Sequence, residues 1–533
     1  MRRNTFLQGA FILAMGSLIS RLLGALYRFF LPMMMGDDKE YGMGLLSYSL
    51  YVYSVVLTIS SMGIPLAIAR LVSERVARGD GAGALRVFQI SGRVLATFGL
   101  LLTGGMVWIA FVFSRFYDPN ALYAMLAIAP AVFVVSVMSA YRGLFQGLQV
   151  MTPFAVSQVV EQTLRIATIF LLAFLLLPLG IEFAAAGASF GAVTGAVASL
   201  IYLLVVYWRY RPQIANLTQG SGPVEPAISV VSQVLRLSIP MSLAALAFPL
   251  FALSDTVLVP LRLQYLGAAQ EEATALLGVL SNLAMPFINL PTVFTTALAL
   301  SIVPAVAEAF TAGDQNRITR ITSAGMRVTM MITLPAAVGL GLLAYDIPTV
   351  LWNTPQVGAP LQILAPATLF IGLQQISSGT LQGLGLPMLP VRNLMTGLAV
   401  KLGLTWWLSG MPELGINGAA YATLTGFLVA AALNLTSVRM RVGTLSLTAG
   451  DVLRPAAAVV AMGLVVRFIQ SLGFGPVIGL GLALSGGAAS YGITLLVVGG
   501  LRGADLDMVP VVGSRLRLLL ERLKLIRGGG DRP

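Results

Sequence analysis

Apolar residues run through this chain in blocks of about twenty, long enough as helices to cross a hydrocarbon core of about 30 Å. Short polar segments separate them. The first six blocks centre on residues 7–35, 42–66, 92–113, 122–141, 154–177 and 184–208. A polar stretch with Gly220, Gly222, Pro223 and Pro226 follows, then six more blocks near 235–259, 275–303, 324–344, 361–381, 391–409 and 418–438. Two further blocks, 454–472 and 477–500, precede a basic tail. The pattern predicts an all-α polytopic membrane protein of about fourteen helices. Its expected division is an N-lobe over residues 1–210, a cytoplasmic linker over 211–234 and a C-lobe over 235–440. Two more helices occupy 441–500 and a tail 501–533. Although Arg2-Arg3 and the run after them resemble a secretory signal, the run reaches Met35 and lacks a small-residue cleavage site. It reads as a first membrane helix.

The two sets of six are related. Glu74, Gly79-Asp80 and Arg93 recur as Glu308, Gly313-Asp314 and Arg327. Ala129-Pro130-Ala131, Gln146-Gly147-Leu148 and Arg165 recur as Ala365-Pro366-Ala367, Gln382-Gly383-Leu384 and Lys401, and Gly187 and Gly195 recur as Gly418 and Gly426. Six is an even number, so both sets enter the membrane in the same sense, and a pseudo-two-fold axis along the membrane normal is expected.

Charge fixes the expected orientation. Most of the 33 Arg and Lys residues fall in segments on one side of the predicted membrane, Arg70, Arg75, Arg78, Arg209, Arg211, Arg317, Arg320, Arg439 and Arg441 among them. Asp37, Asp38, Glu182, Glu271, Glu272 and Glu413 fall on the other. By the positive-inside rule both termini are cytoplasmic, in a bacterial inner membrane. The net charge of +12 therefore reports topology rather than nucleic-acid binding. From Val511 to Arg527 the tail sets Leu516, Leu519, Leu520, Leu523 and Ile526 largely to one side, as for a helix lying on the anionic leaflet.

Composition narrows the chemistry. The chain is 57% hydrophobic and 10% charged, with no Cys and no His, which removes thiol nucleophiles, disulfides and His-based metal sites or proton relays. There is no GxxxxGK[ST] loop and no nucleophile-base arrangement, so a transporter is expected, without a cofactor or metal. What stands out is a set of ions inside the apolar blocks: Arg21, Arg28, Glu161, Arg165, Asp255 and Lys401. Such residues are costly in lipid and normally face a cavity or a partner. Arg21 and Arg28 share a helical face with Ser17 and Gly24, suited to gripping a diphosphate, or alternatively to snorkelling and structural pairing. Glu161 and Arg165, four apart, can neutralise each other, while Arg165 and Lys401 can instead line a shared cationic cavity. Asp255 suits ion coupling or pairing with Arg262. Pro240, Pro249, Pro286 and Pro291 are candidate gate or kink positions in the seventh and eighth helices.

Several segments carry a resemblance. Ser20-Arg21-Leu22-Leu23-Gly24 with Tyr27-Arg28, Gly63-Ile64-Pro65, Gly143-Leu144-Phe145-Gln146-Gly147, and the region from Asn289-Leu290-Pro291 to Ile302-Val303-Pro304 are similar to the SpoVB/MurJ-type lipid II flippases of the multidrug/oligosaccharidyl-lipid/polysaccharide exporter superfamily. The resemblance covers essentially the whole chain and is nearer the SpoVB-like subgroup of Gram-positive bacteria. It implies a central cavity between lobes, alternating access, a groove for a polyprenyl tail at the last two helices, and a lipid-linked oligosaccharide pyrophosphate as substrate. Membrane lipids and the cell-wall synthesis machinery are the candidate partners. The chain departs from the proteobacterial branch in the eighth helix, where Asn282-Leu283-Ala284-Met285-Pro286 offers no cation. It departs from sodium-linked relatives in the eleventh, which has Asn393, Gly397 and Lys401.

Overall fold

The computed structural model describes residues 6–61, 63–217 and 225–500. The basic tail lies outside the described residues, as do residues 218–224 of the linker and the side chains of Arg21 and Pro240. The described chain is helical, and large apolar side chains such as Trp108, Phe111, Phe174 and Leu464 point outward. That inverts the soluble pattern and makes lipid the solvent of the outer surface. Among the described residues eleven helices are long and apolar enough to cross a membrane, or twelve if one bent pair is a single span. The two remaining expected spans are helices as well: the first is only partly described, and the eleventh carries Arg392 and Lys401.

Two compact units divide at Asn282 and Leu283. The first holds α1 (Phe6–Met34), α2 (Lys39–Ser61), α3 (Ile64–Ala77), α4 (Gly81–Phe116), α5 (Ala121–Ile128), α6 (Pro130–Gly147), α7 (Met151–Leu176), α8 (Ile181–Arg209), α9 (Arg211–Leu217), α10 (Ala227–Tyr265) and α11 (Gln270–Gly278). At 36 and 39 residues, α4 and α10 are roughly 54 and 58 Å long, well beyond the hydrocarbon core. The expected linker therefore gives way to helix at Ala227, and Arg75 pins that entry by contacting Glu225 at 2.7 Å and Gln233 at 3.1 Å. α10 continues unbroken past Pro240 and Pro249.

The second unit holds α12 (Met285–Thr311), α13 (Gln315–Leu342), α14 (Asp346–Trp352), α15 (Gly358–Leu364), α16 (Ala367–Gly383), α17 (Met388–Leu408), α18 (Ile416–Val442), α19 (Ala449–Ser471) and α20 (Pro476–Val497). A π-turn over Val279–Ala284 spans the division, and Pro286 follows it in the first turn of α12, with Pro291 inside that helix. Pro lacks the N–H that a continuing helix would use there, so a local rearrangement just ahead of it is expected.

The repeated motifs adopt the same local structures in both units. Gly79 and Gly313 have φ of +75° and +71°, and Asp80 and Asp314 then cap α4 and α13 by accepting from Gly83 N–H and Arg317 N–H, each at 2.8 Å. Those caps satisfy amides that the first turn leaves unpaired. The two Ala-Pro-Ala motifs mark the α5–α6 and α15–α16 breaks, the second bent by 43°. Gly143 and Gly147 let α6 pack closely on Pro65, Ile68, Ala69 and Val72, while Gly379 and Gly383 receive Ala299, Val303 and Val306. Small residues at helix contacts are what association in lipid requires, because no hydrophobic effect separates one apolar surface from another there.

Candidate polar site within the membrane helices

The site starts with α1 on α7. Gly16 packs on Ala155, and Gly24 leaves room for the Gln162 amide, so the two helices approach closely on the face that carries Arg28. Arg21 occupies the same helix, with its side chain outside the described residues. The Arg28 guanidinium lies beside the hydroxyls of Tyr27 and Tyr51. From α2, Tyr51 donates to the Ser281 carbonyl at 2.7 Å, and the buried carboxyl of Asp255 on α10 is its electrostatic neighbour. Arg28 and Asp255 are thus both electrostatic neighbours of Tyr51. The Arg262 guanidinium is stacked over Tyr265 at 4.6 Å.

On α7, Glu161 pairs with Arg142 of α6 at 2.7 Å rather than with Arg165. Arg142 also donates to Ser157 at 3.0 Å and Ser199 at 3.2 Å and lies over the Phe154 ring. Sequence spacing made Arg165 the obvious partner, but α6 brings a second guanidinium across the helix contact. Arg165 is left half-buried with its Nε buried and lacking a hydrogen-bond acceptor, near Tyr27 and Tyr53. Among the described residues no carboxylate lies within 4.0 Å of Arg28 or Arg165.

The second unit holds a related arrangement without charge pairing. Arg142 and Ser157 correspond, by the spacing of the repeat, to Ser378 and Asn393. There Asn393 donates to Asn434 at 2.8 Å and Ser437 at 3.1 Å, and Asn434 donates to Ser378 at 2.9 Å. Lys401, the counterpart of Arg165, lies two turns along α17 from Asn393 and is only 1% exposed. Satisfied amide networks of this kind fix helix pairs in lipid. In the charged counterpart in the first unit, the Arg165 Nε is left without an acceptor among the described residues.

The family described as "Polysaccharide biosynthesis protein" matches residues 6–310, more than half of the chain, and a MatE match covers residues 276–407. The chain belongs to the polysaccharide biosynthesis protein family. Stage V sporulation protein B of Bacillus subtilis is 30% identical over 96% of this chain and 99% of its own length. Lipid II flippase MurJ of the same organism is 27% identical over 83% of this chain and 84% of its own. Among solved structures, an inward-facing MATE-family multidrug transporter of the MOP superfamily aligns at TM-score 0.63 with 17% identity, covering 80% of this chain and 99% of the other. An outward-facing MATE structure aligns at 0.58, with 17% identity over 82% and 96%. The fold is that of this transporter superfamily. This family member is therefore a multi-pass membrane transporter of the flippase type, not an enzyme.

Proposed function

We propose that this transporter flips a lipid-linked peptidoglycan precursor, lipid II, from the cytoplasmic to the outer leaflet by alternating access. Arg28 and Arg165, together with Arg21, receive the diphosphate of the head group. The observation that carries the reading is the pair of guanidiniums inside membrane helices, set among tyrosine hydroxyls and without a carboxylate within 4.0 Å among the described residues. An unneutralised guanidinium held in lipid is costly, and it is kept where an anionic ligand completes it. Guanidinium forks match pyrophosphate oxygens through charge-assisted hydrogen bonds. A cavity for cationic drugs would call for the opposite sign.

Complementation tests the reading. Rescue of a bacterium depleted of its lipid II flippase, without comparable rescue of a strain lacking a polysaccharide flippase, is the expected result. The reverse pattern would assign another undecaprenyl-pyrophosphate-linked oligosaccharide to the same cationic site.

A further inference from the structure

Asp118, in the α4–α5 turn, is 2% exposed and has no cation within 4.0 Å among the described residues. Its carboxylate is held by hydrogen bonds alone. Oδ1 accepts from the Tyr41 hydroxyl at 3.1 Å and the Asn120 backbone N–H at 2.9 Å, and Oδ2 accepts from the Thr274 hydroxyl at 2.8 Å. The Tyr41 hydroxyl gives its one proton to Asp118, whereas the Thr274 hydroxyl also lies 2.9 Å from the Gln270 carbonyl and shares its proton between that carbonyl and Asp118. With its proton committed to Asp118, Tyr41 accepts from the Asn120 amide at 2.9 Å, and Thr274 accepts from Tyr48 at 3.3 Å. Phe113, Tyr117 and Tyr48 pack as rings beside the carboxylate. A carboxylate in such a setting is stabilised by every donor it holds, and losing one strands a buried charge.

The bonds join α2 to α11. These helices are pressed together backbone to backbone: a Cβ on Gly44 would fall on the Thr274 carbonyl, and one on Gly278 would fall on the Glu40 carbonyl. The seam continues inward through Asn282, which donates to the Met43 carbonyl at 2.8 Å and to Ser47 at 2.7 Å. By the sequence repeat, α2 belongs to the first set of six helices and α11 to the second. In the structure both fall in the first unit, and the division comes only after Asn282. The seam therefore holds the start of the second repeat onto the first, at the membrane face to which the charge pattern assigns the acidic loops.

We propose that Asp118 locks an outer gate: its hydrogen bonds from Tyr41 of α2 and Thr274 of α11 hold the two helices together, and opening toward the outside requires at least one of them to break while the π-turn at Val279–Ala284 lets α11 move with α12. This rests on the transporter reading and on the outward orientation of the α4–α5 turn, and not on the identity of the substrate.

The test uses Ser47→Cys, a near-isosteric thiol in the seam of a chain that has no native cysteine. Intact cells are treated from outside with a membrane-impermeant thiosulfonate reagent, and the labelling rate is normalised to protein in the membrane. In the otherwise native chain labelling is slow. Tyr41→Phe or Thr274→Val, which remove one donor each and keep the buried volume, should raise the rate several-fold, and Asp118→Ala about tenfold or more. Rates within twofold of the parent in Tyr41→Phe and Thr274→Val would overturn the lock, whether or not Asp118→Ala reaches the membrane. Acceleration seen only with reagent on the cytoplasmic side would overturn the outer assignment. Because no substrate enters the measurement, a failure of the lipid II reading leaves the result standing.

Discussion

Arg142 and Glu161 meet at 2.7 Å across the α6–α7 contact, with side chains 12% and 22% exposed. Neither partner can leave without stranding the other. Arg142→Ala or Glu161→Gln should each destabilise the purified protein by about 3 kcal/mol, the usual penalty for halving a buried pair. Arg142→Met with Glu161→Leu should recover most of the loss, since the charges vanish together. Thermal unfolding of the four proteins in one detergent measures the coupling. Equal losses in single and double variants would mean that the pair contributes only through its packing.

Arg165 should behave in the opposite way. Its Nε is buried without an acceptor, so the unliganded protein carries the cost of that charge. Arg165→Met keeps the stem and removes the guanidinium. We expect the melting temperature to stay level or rise by a few degrees while flipping falls at least tenfold, the trade-off expected at a ligand site. A fall in melting temperature with normal flipping would make Arg165 structural.

The glycine contacts of the repeat predict matched defects. A Cβ on Gly143 would approach Ile68 Cβ to 2.8 Å, and one on Gly379 would approach the Ala299 carbonyl to 2.7 Å. Backbone and β-branched neighbours yield little. Gly143→Ala and Gly379→Ala should each cost about 1–3 kcal/mol by overpacking, read as reduced membrane levels and a lower melting temperature. Gly104→Ala, which meets nothing within 4 Å, is the neutral control.

How much of this was legible in the sequence follows from how local each feature is. Helix blocks depend on residues a few positions apart, and the structure has them where the pattern placed them, while the Ala-Pro-Ala and Gly-Asp repeats, read only as markers of the duplication, prove to be helix breaks and caps. The partner of Glu161 is not set so locally. Spacing along α7 favoured Arg165, whereas the actual choice is made by the packing of α6, and Arg142 falls just past the end of the apolar block 122–141. Its position next to the Gly143-Leu144-Phe145-Gln146-Gly147 motif was the available signal. Asp118 gave none: a single acid in a short turn is unremarkable until Tyr41 and Thr274, far apart in the chain, are brought to it.

Arg28 offers the sharpest test of the cationic site, because the groups beside it are the hydroxyls of Tyr27 and Tyr51 and, among the described residues, no carboxylate lies within 4.0 Å. Lys in its place keeps the charge and loses the planar fork, so Arg28→Lys should retain part of the flipping and Arg28→Ala very little. The same order is expected at Arg21, which shares its helical face. If Arg28 and Arg165 grip one diphosphate, their effects should be non-additive, with the double Ala variant little worse than the poorer single one. If they serve separate ligands or separate steps, the losses should multiply. The measurement is head-group translocation in proteoliposomes at matched protein content, with membrane insertion checked first. Full activity in a well-inserted Arg28→Ala protein would remove this residue from the site, and the diphosphate reading would then depend on Arg165 and Arg21.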